Sequence, residues 1–210
     1  MSSKRKLARE DAYHAYHLAQ IEKSDAMGAE LATESDRGAA VLGAAYLDDL
    51  LEQYLRERLD VSDLALNRAE RDRIASLWGP SGPLGAFATR ITMCLLLEIM
   101  PLNYFRCLSL IREIRNGFAH NMSVRRFSDP SITALVERLW VEATRRRNVP
   151  KPGSPRQMFI RAVTDLAVHI NITVRHPDGW KEIAEERSKE PPPPNKPLKL
   201  TVGRRRPPAA

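Results

Sequence analysis

Cysteine is scarce: Cys94 and Cys107 are the only two in 210 residues. They sit among apolar neighbours without metal-ligand spacing, so both are expected as reduced core thiols. A long hydrophobic run is also missing. The greasiest stretch, Met93–Met100, is broken by Glu98 and falls far short of the ~20 residues a membrane helix needs. Lys4, Arg5 and Lys6 are not followed by the apolar segment of a signal peptide, so no membrane is expected and the cytoplasm is the expected location. No segment has the alternation of a strand, and no internal repeat is visible. Nor is the net charge of +7 spread evenly: residues 1–11 hold four Lys/Arg against two acids and residues 181–210 hold eight against four. The middle is near neutral, which argues against a basic groove on the folded part.

What is present is helical periodicity. Residues 8–31 are the first expected helix, with few strong core positions (Tyr13, Tyr16, Leu18, Ile21, Leu31), the pattern of a helix that packs late or on a partner. His14 and His17 share one face three residues apart, but no carboxylate or cysteine completes a site, so neither metal nor cofactor is expected. Thr33 with Asp36 fits a capping box, and Glu34 and Asp36 suit the positive end of a helix dipole, so a second helix is expected to run to about Leu59. Its first half, with Gly38, Gly43, Ala44 and Ala45, carries almost no bulk and predicts the close approach of another helix. Glu34, Arg37 and Asp48 fall on one stripe of it. Glu34 and Asp48 are separated by roughly 21 Å at 1.5 Å per residue, too far for a paired acid and base.

Residues 62–78 predict a short helix capped by Ser62, followed by a tight Gly79–Pro83 connector. Leu84–Met100 predicts a central helix stopped by Pro101. The stretch Asn103–Asn121 organises the chain, because Phe105, Leu108, Ile111, Ile114 and Phe118 recur every three or four residues. Gly117 weakens its last turn, and Asn121 is expected to end it in the left-handed conformation. Arg115 and His120 are five apart, about 140° around an ideal helix. They converge on one ligand only if the helix unwinds near His120 or a second chain supplies a partner. Ser128-Asp129-Pro130 predicts a helix start, the helix running to Arg145-Arg146-Arg147, and a last helix spans Pro155 to about Arg175. Tetraproline 191–194 predicts extended polyproline II. The expected organisation is a flexible basic segment over 1–11, one helical-bundle domain over 12–178, and a disordered Pro/Arg-rich tail over 179–210. The fold class is all-α, a compact bundle of six to seven helices.

Four blocks in order, Glu34-Ser35-Asp36-Arg37-Gly38-Ala39-Ala40, Ala45-Tyr46-Leu47-Asp48, Gly82-Pro83-Leu84-Gly85-Ala86-Phe87 with Arg90-Ile91, and Ile111–His120, resemble the mannitol operon repressor family over about residues 30–175. The resemblance implies an all-helical regulator that represses transcription of a sugar-alcohol uptake operon without an obvious DNA-reading motif. No helix-turn-helix with a basic recognition helix is visible here either, so repression through a protein partner is expected, with a homodimer and indirect DNA contact. Arg115-Asn116 with His120 is also similar to the Arg-polar-x-x-x-His signature of the HEPN superfamily. That similarity implies a metal-independent ribonuclease in which imidazole moves a ribose proton and Arg115 stabilises phosphate charge. Alternatively Asn116 and His120 cap the helix end, and Arg115 pairs with Asp36 or Asp48. Glu34, Asp36, Arg37, Asp48, Arg115, Asn116 and His120 are the candidate binding or structural cluster. A bare protein-interaction module, using the small-residue face, is the third reading.

Overall fold

Among the described residues there are seven α-helices: α1 (Ser3–Thr33), α2 (Asp36–Arg58), α3 (Arg68–Ser76), α4 (Phe87–Leu96), α5 (Leu102–His120), α6 (Pro130–Thr144) and α7 (Pro155–Arg175), most of them carrying apolar residues at helical spacing. The structure, a computed structural model, describes residues 3–121, 124, 126–145 and 149–175, with backbone alone for 3–14 and 173–175. The polyproline and tail expectations beyond residue 178, Arg146 and Arg147, and the side chains of Tyr13 and His14 lie outside the described residues. No strand occurs among those described, and no helix in them is long and apolar enough to cross a membrane.

Two helices hold the bundle together. α5 packs on α2, α4 and α6, while α7 packs on α1, α2 and α6. Leu108, Ile111, Ile114 and Phe118 of α5 are fully buried, as are Phe159, Ala162, Val163 and Ala167 of α7. Cys94 and Cys107 are buried free thiols, and burial pushes both up to about 12.

α1 differs from its expected form. It begins at Ser3, and it runs along α7 rather than awaiting a partner. The Tyr16 hydroxyl donates to the Asn171 carbonyl (3.1 Å), and the Ser24 hydroxyl donates to the Thr164 carbonyl (2.7 Å). Its buried stripe is Gln20, Ser24, Met27 and Leu31, whereas Leu18 is 60% exposed. Two polar members hid that stripe from an apolar pattern.

Caps moved as well. Ser35, not Thr33, caps α2 by accepting from the Gly38 amide at 3.0 Å. The Thr33 hydroxyl instead donates back to the Glu30 carbonyl and closes α1. α3 starts six residues later than expected, because Ser62 donates to the Asp60 carboxylate in a turn and the capping box is Asn67 with Glu70. None of its residues is buried, so no apolar stripe could mark its start. α4 stops at Leu96, a turn before the proline: Glu98 takes a φ of +54° and the Ile99 amide reaches back to the Cys94 carbonyl, a Schellman-type ending. Asn121 is extended (φ −111°, ψ 105°) rather than left-handed.

The small-residue face of α2 is real but narrower than expected. A Cβ on Gly43 would lie 3.4 Å from both Phe159 and Val163 of α7 and 3.5 Å from Leu31. Ala39, Ala40 and Ala44 are buried beside it. Ala45 is exposed, and a Gly38 Cβ would meet only Glu34 and Ser35 of its own cap. The glycine that admits α6 onto α5 is Gly117, whose Cβ would come within 2.9 Å of Ile132.

In the 79–86 connector the chain folds over itself. The Leu84 amide bonds the Leu77 carbonyl (2.8 Å), and a Cβ on Gly82 would stand 2.3 Å from the Ser76 oxygen and 2.4 Å from that of Leu77. Backbone oxygens cannot swing aside. Gly82→Ala is therefore expected to destabilise the fold by about 2–3 kcal/mol, read as a lower urea midpoint. An unchanged midpoint would show that the connector relaxes freely.

Candidate functional site

The corner where α1 gives way to α2 is held by a side chain from α7. Arg156, second residue of that helix, directs Nη1 to Asp36 Oδ1 and Nη2 to the carbonyls of Leu31 (3.0 Å), Ala32 (3.0 Å) and Glu34. The carbonyls ending a helix have no partners within it, and a planar guanidinium can satisfy several at once. The second Asp36 oxygen accepts from the Phe127 amide at 2.8 Å. Phe127 then stacks its ring at 5.0 Å from both Phe118 and Phe159. Alongside, Arg37 donates to the Val124 carbonyl at 3.1 Å.

A second guanidinium organises the other half of α2. Arg90 is only 5% exposed. It donates from Nε to the Leu84 carbonyl (2.9 Å), from Nη1 to Asp48 (2.6 Å) and from Nη2 to Glu52. Asp48 and Glu52 are one turn apart on α2, so a single fork spans both. Burial raises the Asp48 carboxyl above its usual range, and this outweighs the lowering by Arg90.

The expected polar cluster is therefore divided. Neither Asp36 nor Asp48 pairs with Arg115; their partners are Arg156 and Arg90. Arg115 donates to the neighbouring Asn116 (3.0 Å), and both stand with exposed His120 on the outer, C-terminal part of α5. Glu34 contributes its carbonyl to the Arg156 clamp. Glu52 and Arg156 were not singled out from the sequence, and Arg90 entered only as part of a block of the resemblance. A signal did exist for each arginine. Arg90 interrupts the apolar stripe of α4, which demands a buried carboxylate. Arg156 places a cation in a helix's first turn, where the dipole disfavours it.

The bundle so defined is an all-α fold, and it has a solved counterpart. The chain matches no family model and no curated protein. Its fold resembles that of a chain in the X-ray structure of the MtlR–HPr complex from Escherichia coli, with a TM-score of 0.54 and 16% identity over 75% of this chain and 99% of that one. At that identity the likeness is one of fold.

Arg156→Met is expected to cost about 2–3 kcal/mol, since it strands Asp36 and the α1 carbonyls together. Arg156→Lys should recover part of that loss, and equal denaturation midpoints for wild type and Met variant would refute the clamp. For Asp48, a raised folded pKa means the folded state holds the proton more tightly just above pH 3.8. Its contribution to stability accordingly falls as pH rises through the folded midpoint, and Asp48→Asn removes that slope. Carboxyl NMR should place the Asp48 midpoint above 3.8; a lower midpoint would mean that Arg90 dominates after all.

Proposed function

We propose that this chain is a non-catalytic regulator of the mannitol operon repressor kind that acts by binding a protein partner. The observation that carries the reading is the fold shared with 99% of a chain from the MtlR–HPr complex. The sequence blocks that begin at Glu34 and end at His120 point the same way. Much of the conspicuous charge, Asp36, Asp48, Arg90 and Arg156, is engaged inside the scaffold, so it is the α5 end with Arg115, Asn116 and His120 that offers polar groups to a partner. Arg115 bonded to Asn116 favours this binding role over a ribonuclease role for the same residues. A dimeric state and operator contact through the partner belong to the same proposal.

Titrating the protein with HPr tests the partner directly. Saturable binding is expected, weakened by roughly tenfold in an Arg115→Ala, His120→Ala double variant. Failure to bind HPr, together with unchanged sugar-alcohol operon expression on deletion, would overturn the regulator reading. RNA incubated with wild type and with His120→Ala should survive equally; His120-dependent cleavage would instead establish the HEPN-type enzyme. Light scattering reads the subunit number.

A further inference from the structure

A cleft of about 180 Å³ lies between α1, α2 and α7, far from the α5 end. Leu50 and Gln20 line it. Gln20 is 4% exposed as a residue, and its carboxamide is not a sealed, unsatisfied group. In an open cleft, water serves such an amide until a polar group of a ligand displaces it. The wall therefore offers polar recognition rather than a purely apolar fit. Nearer the mouth stand Lys23 from α1 and Glu57 from α2, opposite charges that form no ion pair with each other among the described residues. Gln53 and Asn171 add two more carboxamides. Tyr16 completes the wall and is fixed by its bond to the Asn171 carbonyl.

We infer that this cleft binds a small zwitterion, a free α-amino acid, with its carboxylate at Lys23, its ammonium at Glu57 and its side chain over Leu50 within reach of Gln20. The size fits: at ~30 Å³ per water the cleft replaces about six waters, well below the ~300–1,000 Å³ of drug-sized pockets. The charges decide between ligand classes. A neutral polyol would use the carboxamides but leave Lys23 and Glu57 to solvent, whereas a zwitterion answers both. The inference rests on no part of the regulator reading and needs no HPr for its test.

The full chain is titrated with each common L-amino acid, with the N-acetylated amides of the same amino acids, and with a hexitol. Melting temperature and the side-chain amide NMR signal of Gln20 are the readouts. Expected is saturable binding of at least one free amino acid that shifts the Gln20 signal and raises the melting temperature, with no response to its blocked form. Lys23→Ala and Glu57→Ala, both at exposed positions, should keep the fold and lower affinity at least roughly tenfold each, as expected of charge-assisted contacts. Gln20→Leu should lose the ligand-induced rise in melting temperature. No binding by any amino acid, equal binding of blocked forms, hexitol binding alone, or affinity unchanged in Lys23→Ala and Glu57→Ala would overturn the proposal.

Discussion

The contact between Arg156 and Asp36 is the constraint on which the rest of this bundle depends. A cation at the start of α7 faces the positive end of that helix's dipole, and it is held there by a carboxylate and three carbonyls. Those carbonyls belong to the last turn of α1 and the link into α2, so one side chain fixes where the first helix stops and at what angle the second leaves. Asp36 in turn is well placed, since a carboxylate in the first turn of α2 is favoured by the dipole. Its second oxygen pins the Phe127 amide, which sets a ring between those of Phe118 and Phe159. Four segments distant in sequence meet through one ion pair.

The same logic recurs at Arg90, with a different balance. There the guanidinium is nearly inaccessible and must meet two carboxylates as well as the Leu84 carbonyl. A charge taken out of water is costly unless paired and fully bonded, and a like-charged pair one turn apart on α2 would repel without the arginine between them. Arg90 thus ties α4 and the glycine connector to α2. It does so at a depth where desolvation, not attraction, sets the Asp48 proton affinity.

This division explains what could be read from the sequence and what could not. α5, α6 and α7 were legible because their apolar residues repeat at helical spacing and because Pro130 and Pro155 mark helix starts. The boundaries of α3 and α4 were not. α3 buries nothing, and α4 ends on a left-handed glutamate where the sequence offers only a later proline. The buried stripe of α1 was missed because Gln20 and Ser24 occupy half of it. Pairing was harder still: Asp36 and Arg156 are 120 positions apart, and no period connects them. Sequence reasoning joined Asp36 and Asp48 to the arginine of the most conspicuous motif, Arg115, when the acids had nearer partners in space. Likewise the bareness of α2 was visible, but not that Gly43 makes room for α7 and α1.

α1 connects the two ends of the molecule. Its last turn supplies the carbonyls that Arg156 holds, and its middle supplies Gln20 and Lys23 to the cleft. From Gln20 to Leu31 is roughly 16 Å along a helix rising 1.5 Å per residue. Over that length α1 touches α7 through the Ser24 bond and through Gly28, close against Thr164. A ligand bridging Lys23 on α1 and Glu57 on α2 would add a cross-tie between two helices that each pack more on α7 than on one another. Its binding free energy would then stabilise the docked α1 over the undocked one, in proportion to its differential affinity for the two. Because the clamp needs a docked α1 to find its acceptors, occupancy of the cleft and integrity of the Arg156 corner favour each other, and linkage makes that preference reciprocal.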